Sequence, residues 1–268
     1  MAQYKNFSSI KYQPDTNQTA KSQSFQCQIC GDTGVVFDAE GNTHPCRCWK
    51  IKQLTGKQNR ANLPRALQSM TFENFDLSYY PANEIPNLNH TVKNSYLSYA
   101  ANAKKQAEEF VKSILNSSNA SGIQGLMFQG QVGSGKTHLA AAIANQLISN
   151  NKQILFLVVP DFLDEIRMSY GNYGEFNELN LMNKAKNTEV LILDDLGAHN
   201  FSEWTKNKLF SLINHRINSE LPMIITTNLD LNELKDILGE RIISRIVAGC
   251  KPCLLPVKRD IRLTKLHR

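Results

Sequence analysis

The chain has 268 residues, a formal net charge of +6 and 41% hydrophobic residues, material for one large domain or two unequal ones around a buried core. Its longest apolar run, Ile154 to Val159, is far too short to span a bilayer, and the polar start MAQYKNFSSI lacks the apolar stretch of a secretion signal. A cytoplasmic protein with no membrane partner is expected, and the positive charge permits nucleic-acid contact without requiring it.

Residues 1–24 lack aliphatic periodicity and read as a flexible N-terminal arm. The stretch CQICGDTGVVFDAEGNTHPCRC follows, with a C-x2-C pair, fifteen residues, then C-x-C. In a reducing compartment clustered cysteines bind metal or do redox chemistry more often than they form structural disulfides. Four thiolates from Cys27, Cys30, Cys46 and Cys48 would close around one Zn²⁺, replacing a core that so small a module cannot build. CGDTG reads as a tight knuckle. The C-x-C half brings its sulfurs closer along the chain, so His44 is an alternative ligand, and free or redox-active thiols are the competing reading.

Residues 25–60 are therefore assigned to a cysteine-rich zinc-binding module, which runs out through the basic polar stretch KIKQLTGKQNR. Residues 61–122 read as a linker and the N-terminal helices of the domain that follows. They begin with an aromatic, turn-rich run, FENFDLSYYPANEIPNLNH. Apolar residues at helical spacing between Val92 and Leu115 (Tyr96, Tyr99, Ala103, Ala107, Phe110, Ile114) predict an amphipathic helix.

From residue 123 to residue 268 the pattern alternates. Strands are predicted at Gly125–Phe128, Ile154–Val159, Val190–Leu193 and Met223–Thr227, with helices at Lys136–Ser149, Phe162–Tyr170, Ser202–Asn218 and Leu231–Ile237. That alternation implies an α/β core with a central parallel sheet flanked by helices. Cys250 and Cys253 cannot complete a tetrahedral site by themselves and read as buried structural thiols.

Gly130-Gln131-Val132-Gly133-Ser134-Gly135-Lys136-Thr137 fits G-x-x-x-x-G-K-[ST], followed by His138. Its glycines let backbone N–H groups converge on phosphate oxygens, at the positive end of the helix that starts near Lys136. Lys136 would reach the β- and γ-phosphates of ATP, and the Thr137 hydroxyl would ligate Mg²⁺. VLILDDLG delivers two carboxylates at a strand end, Asp194 for the Mg²⁺ shell and Asp195 for the attacking water. Asn228, ending MIITTNLD, could hold the same water.

Together these residues resemble the AAA+ ATPases, and more narrowly the DnaC/DnaI-type bacterial replicative helicase loaders, from about residue 70 to the end. On that resemblance FENF lays Phe75 beside the adenine, GQVGSGKTHLA is the Walker A loop and LILDDLG the Walker B strand. Asn228 matches sensor 1, LGERIISRI carries the arginine finger as Arg245, and VKRDIRL places Arg262 of sensor 2 near the γ-phosphate. Arg241 lies four residues before Arg245, so it shares that side of a helix and remains an alternative finger. A finger acting in trans implies an ATP-dependent homo-oligomer with slow hydrolysis by a lone subunit. Asp195 stands where many AAA+ proteins carry Glu, which implies modest turnover.

The resemblance implies an ATP-dependent loader in DNA replication, which binds ATP–Mg²⁺ and single-stranded DNA and delivers a replicative DNA helicase gripped by the zinc module. Arg167, Tyr170 and Tyr173 are candidate DNA contacts, although Tyr170 also extends an apolar stripe of Phe162, Leu163 and Ile166. The alternatives are an IstB-type transposition helper, a P-loop small-molecule kinase and a non-hydrolysing ATP-gated module. The cysteine module argues against the helper, and LGERIISRI is superfluous for a kinase.

Overall fold

The structure, a computed structural model, describes residues 26–38, 41–83, 85, 95–168, 174–198 and 201–265. The chain divides into two compact units, residues 1–52 and 53–268. In the first, β1 (Val35–Phe37) pairs antiparallel with β2 (Thr43–Pro45), with Val36 opposite His44. The division between the units falls within helix α1 (Arg47–Arg60).

In the second unit, the next α-helix after α1 is α2 (Tyr96–Asn116). Ser95 caps it, its hydroxyl accepting from the Ser98 N–H while the Ser98 side chain accepts from the Ser95 N–H. The helix expected from Val92 therefore starts at its cap, and residues 92–94 lie outside the described residues. Next come β3 (Gly125–Gln129), α3 (Lys136–Ser149), β4 (Ile154–Val158) and α4 (Val159–Met168). Pro160 has no N–H to give to a ladder and suits a helix's first turn, so β4 stops at Val158 and α4 starts three residues before the expected Phe162. The remainder is α5 (Gly174–Asn187), β5 (Val190–Asp194), α6 (Glu203–Asn218), β6 (Met223–Thr227), α7 (Leu231–Leu238), α8 (Glu240–Gly249), β7 (Cys250–Leu254) and α9 (Ile261–Lys265).

Five parallel strands lie in the order β4-β5-β6-β3-β7. Alternate residues feed opposite faces. Leu126, Phe128, Phe156, Ile192 and Ile224 join one hydrophobic cluster with α2 and α3. Met127, Leu155, Leu157, Leu191 and Ile225 join another with α4, α6 and α8. On the first face alanines meet, Ala100, Ala103 and Ala107 of α2 with Ala140 and Ala144 of α3, so the two helices approach closely and α3 is buried nearly all round. Gly125 begins β3 where a Cβ would lie 2.1 Å from the Met223 carbonyl oxygen.

β7 escapes the sequence pattern because GCKPC contains a proline and a lysine. It is an edge strand, and Pro252 can stand there because its missing N–H would have faced away from β3. The alternation fixes this: two residues after Cys253, the Leu255 N–H donates back to the Gln129 carbonyl at 2.7 Å. Cys250 and Cys253 are buried, as expected of structural thiols, and burial pushes each up to about 12.

The least expected core residue is Arg216 on α6, which is fully buried. Its guanidinium donates to the carbonyls of Ala185 (2.9 Å), Lys186 (3.2 Å) and Thr188 (2.8 Å) at the end of α5. It also donates to Glu189 (3.4 Å) and, before β6, to Pro222 (2.7 Å). One planar fork thus ties down two connections, α5 to β5 and α6 to β6, satisfying carbonyls a helix end leaves open. Replacing it strands those acceptors. Arg216→Met is expected to lower unfolding free energy by at least about 3 kcal/mol, read as a reduced urea midpoint by tryptophan fluorescence.

Candidate nucleotide site

The parallel sheet places the C-terminal ends of β3, β5 and β6 along one edge, and β3 runs straight into the glycine-rich turn. Gly133 and Gly135 both take positive φ (73° and 91°), where a side chain is strained. A side chain there would also have to displace neighbouring side chains. A Cβ on Gly133 would sit 1.9 Å from an Asp260 carboxylate oxygen, and one on Gly135 would sit 2.8 Å from the Tyr80 hydroxyl.

Lys136 is 5% exposed and folds its ammonium back over the loop, donating to the carbonyls of Gly130 and Gln131, both at 2.8 Å. Burial draws its pKa down to about 8, against the pull of Asp195 and Asp194. The Thr137 hydroxyl donates to Asp194 at 3.0 Å. Asp194 is buried, and that burial raises its pKa while the hydroxyls of Thr226 and Thr137 work in the other direction.

Thr226 is the residue that sequence reasoning missed. Its hydroxyl donates to Asp194 at 2.6 Å and accepts the Asp195 N–H at 2.9 Å. Asp195 adopts φ 62°, a left-handed conformation that turns it off the strand line. Its carboxylate accepts from Asn228 Nδ2 at 3.1 Å, so the expected amide reaches the second acid directly. The signal for Thr226 lay in the paired strand ends ITTN and LDDL, but strand order is needed to see that they are neighbours.

A cavity of about 340 Å³, within the range of small-ligand sites, is lined by Gly133, Gly135, Lys136, Thr137, His138 and Val132. Asp195, Asn228 and Arg262 reach the same cavity, together with the apolar side chains Leu67, Met70 and Ile261. Phe75 is not among its lining residues. It is buried behind the loop, 5.6 Å from the Tyr80 ring and 5.3 Å from His138, so the apolar wall belongs to Leu67 and Met70. Ser134 is fully buried and its carbonyl accepts the Tyr80 hydroxyl at 2.6 Å, while the Gln131 side chain accepts the Val257 N–H.

Arg262 donates twice to Asp260, at 3.2 and 3.1 Å. That guanidinium is the first cause of the lowered Asp260 pKa. Arg245 and Arg241 lie elsewhere, exposed on the outer side of α8, while Ile242, Ile243 and Ile246 turn inward. Arg167 faces Asp164 at 3.9 Å, and Tyr170 and Tyr173 lie outside the described residues.

In the first unit, the sulfurs of Cys27, Cys30, Cys46 and Cys48 lie within 4.8 Å of one another. Four thiolates about 2.3 Å from one Zn²⁺ have tetrahedral edges of about 3.8 Å, and the measured contacts are 3.8 Å for Cys27–Cys46 and 3.3 Å for Cys30–Cys48. The donor set fits zinc. Gly31, Asp32 and Gly34 take positive φ, forming the tight turn expected, and the Gly34 N–H donates to the Cys30 sulfur. His44 is elsewhere, with its Nε2 2.7 Å from Asp38, so the four cysteines make the cluster without it.

The family of IstB-like ATP binding proteins matches residues 82–251, well over half of the chain. This protein belongs to that family. Among curated relatives, the replicative helicase loader DnaC of Escherichia coli strain K12 is 30% identical over 148 residues, 55% of this chain and 58% of that protein. The replicative helicase loader DnaI of Bacillus subtilis strain 168 is 33% identical over 129 residues, 47% of this chain and 40% of that protein. The chain thus spans about half the length of the curated relatives it matches. A crystal structure of DnaI superposes with a TM-score of 0.54 at 24% identity, covering 73% of this chain and 94% of that one. The AMPPCP-bound DnaA of Aquifex aeolicus gives 0.52 at 20% identity, covering 75% of this chain and 55% of that one. The core has the AAA+ fold, and among the described residues no helix is long and apolar enough to cross a membrane.

Thr226 governs both acids of this site while lining none of its cavity. Thr226→Val should leave binding of a fluorescent ATP analogue within about threefold and cut steady-state ATP hydrolysis about tenfold or more. Comparable losses in both measurements would mean that the hydroxyl serves only folding of the site.

Proposed function

We propose that this protein is an ATP-dependent helicase loader of DNA replication. The observation that carries the reading is one cavity where Lys136, Thr137, Asp195, Asn228 and Arg262 meet, on a chain similar to DnaC and DnaI. Lys136 and the loop N–H groups would hold the phosphates of ATP, with Thr137 and Asp194 holding Mg²⁺, which supplies charge neutralisation on the β- and γ-oxygens. Asp195, oriented by Asn228, would position and deprotonate the attacking water. Arg262 borders the same cavity and would neutralise charge on the γ-phosphate.

Arg245 is exposed on α8 and does not line the cavity, which supports a finger delivered to a neighbouring subunit. Hydrolysis then depends on assembly, and Arg241 on the same helix is the other candidate. The four-thiolate cluster would hold Zn²⁺ as a closed structural site and present the first unit to the helicase. Single-stranded DNA would engage the region from α4 to α5, including Arg167. The IstB-type transposition helper is the second reading, since the family includes the name, and the cysteine cluster favours the loader.

Arg245→Ala and Lys136→Ala should each be nearly inactive alone. Mixing the two should restore part of the ATPase, because mixed contacts pair an intact loop with an intact finger; no recovery would rule out a finger in trans. For the partner, the full chain immobilised with ATP and Mg²⁺ should retain a bacterial replicative helicase and release an IS21-type transposase. Cys27→Ser with Cys30→Ser should remove bound zinc by atomic emission and abolish helicase capture while sparing ATP binding. Capture of the transposase instead would establish the helper reading.

A further inference from the structure

A second cavity of the second unit, about 590 Å³, is distinct from the nucleotide site. It lies where β4 begins, at the opposite edge of the sheet from the ends of β3, β5 and β6. Four cations line it, Lys57, Arg60, Lys152 and Lys184, and none of its lining residues is acidic. Lys152 is answered by Glu189 at 2.9 Å. The others are not. Lys57 donates to the Asn151 side chain at 2.7 Å and Lys184 to the Arg60 carbonyl at 3.2 Å, both neutral acceptors, and Arg60 is exposed.

The wall is built rather than accidental. The Ala61 carbonyl accepts the N–H of Phe156 at 2.8 Å, so the chain after α1 covers the edge of β4 beside the Arg60 that lines the cavity. Gln153 and Asn187 also line it, the Asn187 amide donating to the Asn183 carbonyl at 2.9 Å, together with the apolar residues Ile148 and Ile154. No aromatic ring lines it, so base stacking is not on offer. Convergent cations with neutral donors and no carboxylate suit a ligand carrying several linked phosphates. Lys57 and Arg60 belong to KIKQLTGKQNR, the basic stretch that the nucleotide chemistry leaves unused.

We propose that Lys57, Arg60 and Lys184 form a second phosphate-binding site, separate from the nucleotide loop, for linked phosphates such as a single-stranded nucleic-acid backbone. The opposing account is local: Lys57 and Arg60 lie in the last turn of α1 and Lys184 in that of α5, where cations offset the negative helix ends. The two accounts differ in what removing charge does.

The test uses the full chain with its nucleotide site saturated by ATP–Mg²⁺. Two probes are titrated by fluorescence anisotropy and calorimetry, a labelled oligothymidylate and inorganic tripolyphosphate. Arg60→Gln with Lys184→Gln should weaken oligothymidylate binding about tenfold or more and reduce the slope of log affinity against log salt by about 1.4, two phosphate contacts on a single strand. Arg60→Lys alone should retain most of the affinity. Loss confined to tripolyphosphate would assign the site to free polyphosphate rather than nucleic acid. If neither probe responds to the charge removal, whether or not the melting temperature falls, the proposal is overturned and the cations serve the helix ends. ATP binding, measured in parallel, is expected to stay unchanged, so failure of this site and failure of the loader reading are separate results.

Discussion

The Asp194 carboxylate sits between two hydroxyls, Thr137 from the phosphate loop and Thr226 from the neighbouring strand β6, and the site depends on that contact. Register produces it. Leu193 lies opposite Ile225 across β5 and β6, and Phe128 opposite Thr226 across β6 and β3, so the acid, the hydroxyl and the root of the loop share one level of the sheet. A slip of one residue would turn every side chain to the other face and drive Leu193 into the polar edge. The two hydrophobic clusters forbid that slip, because each strand contributes alternate residues to both. Packing on two faces therefore sets the chemistry at the end of the sheet.

The loop itself is held by segments far apart in the chain. Tyr80 clasps Ser134 from one side, and Ile261 donates its N–H to the Gly133 carbonyl from the other. Gly130 approaches the Leu255 carbonyl so closely that a Cβ would lie 2.1 Å from that oxygen. The glycines thus serve two ends, freeing N–H groups for an anion and letting neighbouring backbone reach the loop. A shift of the loop on binding must be felt at residues 71–80 and 255–262, which border it directly. The outward face of α8, carrying Arg241 and Arg245, enters β7 and so continues into the second of these segments.

The predicted helix Lys136–Ser149 has the observed bounds, and the four predicted strands agree with those found to within a residue, because short apolar runs buried on both faces leave little choice. What stayed hidden depended on neighbours. β7 has neither a continuous apolar run nor alternation, since as an edge strand it needs only Cys250 and Cys253 inward. Arg216 has the appearance of a helix-surface base, and only the convergence of five carbonyls reveals it as core. Phe75 carries an aromatic ring near the loop, yet whether that ring lines the cavity or supports the loop from behind depends on the path of the chain, which periodicity does not encode. The four cysteines were legible from spacing, and the exclusion of His44 required its pairing with Asp38.

The two cations of the nucleotide cavity are held ready in different ways. Arg262 is paired with Asp260, but its side chain is 68% exposed, and an exposed ion pair is worth only about 0–1 kcal/mol. Exchanging that carboxylate for a phosphate would therefore cost little and would gain a more anionic partner. Lys136 is buried and bonded to neutral carbonyls, with its pKa drawn down to about 8. An incoming phosphate would satisfy a charge for which burial has already been met, and would favour the protonated amine at the same time. On the proposed reading, Lys136 would therefore gain most from a bound anion and Arg262 would give up least for one. Lys136 would then register that a phosphate is bound, while Arg262, exchanging Asp260 for a phosphate, would register which phosphates are there.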